Sequence, residues 1–121
     1  MTVRLRIDPS SSVPPFEQVR NGLAARINDG RLPVGTKLPT VRALAAELGI
    51  APNTVARAYR ELEAAGLLDT RGRAGTFVSA QGDTTRARAA EAAAEYVDVT
   101  DSLGLSRKEA LKIVQAALEQ D

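Results

Sequence analysis

Cysteine, histidine and tryptophan are all missing from the 121 residues. Without thiols there is no disulfide, zinc ribbon or cysteine nucleophile, and without imidazoles there is no histidine base and no histidine-ligated metal. Carboxylates alone remain open as metal ligands, but Glu61 and Glu63 fall on different sides of a helical pattern and make no acid pair. No Gly-x-x-x-x-Gly-Lys-Ser/Thr run supplies a phosphate-binding loop. No cofactor is expected, and an enzyme is the least supported class. Long apolar runs are missing as well, because nothing approaches the roughly 20 residues that span a bilayer. The amino end shows no signal-peptide core behind its arginines. The expectation is a cytoplasmic chain with no membrane partner, long enough for one modest core or a small domain with an appendage.

An excess of one sign of charge is missing overall, since 16 basic side chains face 15 acidic ones for a formal net charge of only +1. It is unevenly placed, however. Residues 1–82 hold eleven basic and seven acidic side chains, or +4, whereas residues 83–121 hold five and eight, or −3. A local positive field can arise from such segregation without a strongly basic chain.

What is present is most informative from Leu38 to Val78. Thr40 suits an N-cap, and Val41, Leu44, Ala45 and Leu48 follow at helical spacing until Gly49. Pro52 suits the first position of a second helix, in which Val55, Ala58 or Tyr59, Leu62 and Ala65 recur until Gly66. That helix has a buried stripe, to which Tyr59 belongs, and a free one carrying Asn53, Arg57 and Arg60, with Thr54 beside them. The pattern then turns extended through Leu67 to Thr70, passes the tip Arg71-Gly72-Arg73-Ala74-Gly75, and returns through Thr76 to Ser79. Two short helices, a turn and a basic-tipped hairpin in this order predict a winged helix-turn-helix, with the free stripe of the second helix in a major groove of double-stranded DNA. Taken alone the hairpin tip would be an ordinary solvated turn; its place after the helix pair makes it a wing.

Around this motif, Val3, Leu5 and Ile7 alternate with Arg4, Arg6 and Asp8, which predicts a short extended segment before the Pro9 break. Pro14-Pro15 opens a bracing helix with Phe16, Val19, Leu23 and Ile27 on its buried stripe and Asp29-Gly30 at its end. Pro33-Val34-Gly35 reads as a turn. Gln81-Gly82-Asp83 reads as a linker and cap, residues 84 to about 103 as an alanine-rich helix, and Ser106-Arg107-Lys108-Glu109 as the capping box of a last helix. The two final helices, joined by Leu103-Gly104-Leu105, form a hairpin with more small-residue surface than it can cover itself. Ala89, Ala93, Tyr96 and Val97 of one helix and Leu111, Val114 and Leu118 of the other are the expected dimer contacts. The competing arrangement folds this hairpin back on its own chain. The fold class is therefore mainly α with a small β-hairpin. Residues 1–80 form the winged helix-turn-helix and 81–121 a two-helix dimerisation tail.

Several of these residues together resemble the GntR family of bacterial transcription regulators. They are Pro15-Phe16 with Gln18, Ile27 and Gly30; Gly35 with Lys37-Leu38-Pro39; Arg42 with Leu44-Ala45; Asn53-Thr54-Val55; and Gly75-Thr76-Phe77-Val78. The resemblance covers roughly residues 13–79, and the short tail is similar to the YtrA-like subfamily. It implies operator contacts at Arg42, Asn53, Thr54 and Arg57 and at the wing residues Arg71, Gly72 and Arg73. Lys37 and Thr40, leading into the first helix of the pair, complete the expected contact set, although Lys37, like Arg20 and Arg60, stands evenly between contact and surface charge. Ala51 and Pro52 occupy positions where many members have Ser and Arg, so neither a side-chain cap nor an arginine fork comes from there.

The resemblance further implies a homodimeric repressor on an inverted-repeat operator, with membrane-transport genes as the leading target class. A small-molecule effector, if one exists, would have to bind at the dimer interface or between tail and reading domain. A winged-helix protein-interaction module docking to a larger complex is the alternative from a different class.

Overall fold

In the N-terminal part of the chain, the other elements are arranged around the helix from Pro52. The computed structural model describes residues 3–80 and 84–120, and the chain divides into two compact units, Met1–Thr84 and Thr85–Asp121. In the first unit, α1 (Pro15–Asn28) and α2 (Val41–Leu48) both pack against α3 (Pro52–Ala64), and strand β1 (Leu68–Thr70) follows directly and also lies on it. β1 pairs antiparallel with β2 (Thr76–Val78), in the register Leu68↔Val78, Asp69↔Phe77 and Thr70↔Thr76.

The helix ends obey local chemistry. The Thr40 hydroxyl accepts the Ala43 N–H at 3.1 Å, and Gly49 takes the left-handed conformation (φ 70°, ψ 34°) that stops α2. Proline begins both α1 and α3, where its missing N–H costs nothing. Val55, Ala58, Tyr59 and Leu62 are the buried stripe of α3. They join Val19 and Leu23 of α1, Leu44 and Ala45 of α2, and Leu38, Leu68 and Val78 in one core. Fully burying a leucine such as Leu23, Leu44 or Leu62 is worth roughly 1.5–3 kcal/mol.

Two parts depart from expectation. The Gly35–Leu38 stretch is more than a turn and lead-in, because it adds a third edge to the hairpin. Gly35 N–H donates to the Val78 carbonyl (2.9 Å), Val78 N–H to that of Thr36 (2.9 Å), and Leu38 N–H to that of Thr76 (2.8 Å). Residues 3–8 alternate in burial as expected, with Val3 buried and Leu5 and Ile7 half-buried, yet they form no strand. Arg4 has a φ of 58°. The segment is held by a side chain instead, as Arg26 donates to the carbonyls of Val3 (3.2 Å) and Arg4 (3.0 Å).

The second unit holds α4 (Thr84–Ser102), apart from its first residue, and α5 (Arg107–Leu118), with Gly104 at φ 77° between them. The expected capping box is complete: Ser106 Oγ accepts the Glu109 N–H, and the Glu109 carboxylate accepts the Ser106 N–H, each at 3.1 Å. The helices are fastened near their junction, where the Tyr96 hydroxyl donates to the Ala110 carbonyl at 2.7 Å and Thr100 and Ala110 are buried. The linker reading of Gln81-Gly82-Asp83 lies outside the described residues.

Candidate nucleic-acid interface

α3 presents two faces because its buried residues are spaced three and four apart. At about 100° per residue, the direction opposite Val55, Ala58, Tyr59 and Leu62 is shared by Asn53, Arg57 and Arg60. All three are exposed, and Thr54, on the shoulder, is half-buried. The first turn of α3 has no side-chain cap, since Ala51 stands at the N-cap. Its amino end, carrying the positive pole of the helix dipole, is thus left to solvent or to an anion.

Arg57 leans toward α1. Its Nε donates to Glu61 Oε2 at 3.2 Å, and its guanidinium carbon stands 3.5 Å from the Phe16 ring centroid. Glu61 also pairs with Arg20. Arg20, and after it Arg57, hold the Glu61 carboxyl below the usual glutamate range. Phe16, expected on the buried stripe of α1, is only half-buried and serves as the platform of this cluster.

The remaining expected contacts divide into held and unheld groups. The Thr40 hydroxyl accepts within its own helix, which leaves its proton to donate outward. Arg71 folds back, with Nε 3.1 Å from Asp69 Oδ2 and its guanidinium 4.5 Å from the Phe77 ring centroid. Gly72 has a φ of 56° and opens a single 3₁₀ turn, Gly72–Ala74, that carries Arg73 at the exposed tip. Lys37 is exposed and lies beside Gly75, where the Cβ of any larger residue would meet Lys37 Cε at 2.8 Å. Among the described residues, no ion pair holds Lys37, Arg42, Arg60 or Arg73.

The structure therefore gathers Arg57 with Phe16, Arg20 and Glu61, and Lys37 with the wing. Arg42 and Asn53 are each exposed on their own helices. Phe16 and Glu61 were missed as members of the site. The Arg57–Glu61 pair is readable as an i,i+4 couple, whereas Phe16 enters only through the crossing of α1 over α3.

In the tail, Ala89, Ala93, Leu111 and Leu118 are exposed, Val97 is at the edge of exposure, and Tyr96 and Val114 are half-buried. Tyr96 is engaged within the chain. Val99, Leu103 and Ile113 are exposed as well.

Residues 15–78 match the family described as "Bacterial regulatory proteins, gntR family". An HTH-type transcriptional regulator of Mycobacterium tuberculosis is 52% identical over 108 residues, covering 89% of this chain and 88% of that protein. The HTH-type transcriptional repressor YtrA of Bacillus subtilis is 44% identical over 82 residues, 67% of this chain and 62% of the repressor. Among solved structures, YtrA from Sulfolobus acidocaldarius, a GntR-family transcription factor, superposes with a TM-score of 0.59 at 28% identity, covering 82% of this chain and 96% of that one. The AraR DNA-binding domain in complex with an operator superposes with a TM-score of 0.55 at 31% identity, covering 60% of this chain and 90% of that one.

Proposed function

The chain belongs to the gntR family of bacterial regulatory proteins, and from that premise we propose that it is a homodimeric repressor whose two α3 helices read the halves of an inverted-repeat operator. It is a transcriptional regulator with a winged helix-turn-helix fold. In the proposed complex Asn53, Thr54 and Arg57 face base edges in the major groove, and Arg42, Lys37 and Thr40 hold flanking phosphates. Arg73, with Gly72 and Arg71, follows the neighbouring backbone or minor groove. The observation that carries this reading is the flank of α3 bearing Asn53, Arg57 and Arg60, which is exposed while the opposite stripe is buried.

The tail supplies the two-fold in this proposal. Every large hydrophobic that is prominently exposed among the described residues lies in the second unit, which supports a partner subunit as its cover. Membrane-transport genes are the proposed target class, following the YtrA-like resemblance. An effector would bind at the dimer interface, and the protein would act in the cytoplasm, where its DNA is.

Gel-shift titration of genomic fragments tests the reading. Selective retention of a few fragments, lost steeply as salt rises, is the expected result. Uniform or absent retention would instead favour the protein-interaction module, for which the uncovered apolar tail would be the docking surface.

A further inference from the structure

Arg57 stands on the outward flank of α3 but is not loose there. The Phe16 ring lies under its guanidinium at 3.5 Å, a stacking distance for a flat cation on an aromatic face. Its Nε is taken by Glu61 at 3.2 Å. Glu61 is in turn drawn toward α1 by Arg20, whose guanidinium lies 5.8 Å from the same ring. The stack sets the plane of the Arg57 guanidinium, Glu61 sets which edge points inward, and Arg20 keeps Glu61 from turning away.

The opposite edge, the fork of two terminal nitrogens, carries no partner among the described residues, and the side chain is 56% exposed. Two parallel donors in that fork match the two acceptors on the major-groove edge of a guanine. An arginine free to sample rotamers would have to be ordered on docking, at an entropic cost; one already stacked and paired is ordered beforehand.

We infer that Phe16 and Glu61 are positioning residues for Arg57, so that α1 sets how selectively α3 reads a base it does not itself touch. This rests on the DNA-reading function proposed above. Glu61 acts in two directions, because a carboxylate beside the DNA-facing flank repels phosphates while it orients the arginine. It lowers affinity for any duplex and raises the contrast between the right sequence and the wrong one.

The test uses the full chain and its Phe16→Leu, Glu61→Gln and Arg57→Ala variants, together with the Phe16→Leu/Arg57→Ala double variant. Selection from a randomised duplex library gives each a base-preference profile, and competition titration compares the preferred duplex with a scrambled one. Phe16→Leu should flatten preference at the same base pairs as Arg57→Ala and reduce the preferred-to-scrambled ratio about tenfold. The double variant should be no worse than Arg57→Ala alone. Glu61→Gln should bind scrambled duplex more tightly while discriminating less, which loss of folded protein cannot produce. A wild-type profile for Phe16→Leu, or additive losses in the double variant, overturns the inference and leaves the DNA-reading function standing. A wild-type protein that selects no sequence overturns both.

Discussion

Tyr59 is one residue whose polar end and apolar body have separate duties. Its ring lies in the buried stripe of α3, only 7% exposed, and its hydroxyl donates to the Pro39 carbonyl at 2.7 Å. Burial first, and the Glu47 charge second, push the phenol well above its ordinary value, so it remains a neutral donor at any working pH. Tyr59→Phe removes the donor and keeps the packing, and should cost about 1 kcal/mol in urea unfolding. Duplex binding by the folded fraction should stay unchanged, since the hydroxyl points at the approach to α2 and not at the outward flank. Glu109 gives a second residue-scale expectation. The Ser106 backbone N–H, and then its side chain, lower the Glu109 carboxyl below the usual glutamate range. A depressed folded value means that the stabilisation is complete above the unfolded value and fades as pH falls through the folded one. The Ser106 amide resonance should therefore titrate with a midpoint below that of an unstructured glutamate. A midpoint at the ordinary value would mean that the capping box is not held in solution.

At the scale of elements, the wing depends on a backbone conformation that side chains resist. Gly75 has φ 115° and ψ −164°, a region reached almost solely by glycine, where other residues carry about 1–3 kcal/mol of strain. The Lys37 side chain near its would-be Cβ can move aside, so the backbone decides the outcome of Gly75→Ala. That variant should lose stability by about that amount in thermal unfolding, unless the wing shifts to relieve it. A shifted wing should appear as weaker binding to every duplex. Elements that announce themselves locally were the legible ones. Thr40 and Gly49 bound α2, Pro52 opens α3, and Ser106 with Glu109 opens α5, because each signal sits within a turn of the end it marks. The third edge of the hairpin was not legible, since its pairing joins residues 35–38 to 76–78, some forty positions away. The alternation of Val3, Leu5 and Ile7 gave the right burial but not the left-handed backbone at Arg4. Arg26 supplies from α1 the hydrogen bonds that a neighbouring strand would have given. In the candidate site, the outward stripe of α3 followed from periodicity alone, but the Phe16 stack under Arg57 needs the angle at which α1 crosses α3. No spacing within one helix encodes that angle.

The whole molecule consists of two units with opposite surface habits. The first tucks most of its large apolar side chains into or against one core, whereas the second leaves Val97, Val99, Leu103, Leu111, Ile113 and Leu118 exposed, Leu118 at 79%. Exposed leucines contribute little to the folding of the chain that carries them, so replacing Leu111 and Leu118 together by aspartate should hardly disturb the protomer. If a second copy covers them, the same change buries two charges in an apolar contact and should abolish it. Sedimentation at micromolar concentration should show a dimer for the wild type and a monomer for the Leu111→Asp/Leu118→Asp variant, with unchanged helix content. In the proposed dimer, the functional consequence follows from linkage of the two reading heads. Binding one half-site presents the other at high effective concentration, so separating the heads should weaken an inverted-repeat operator by about 10²-fold or more while an isolated half-site binds as before. A wild-type monomer, or a variant that keeps full operator affinity, would assign the apolar tail to a different partner and leave each head to read DNA alone.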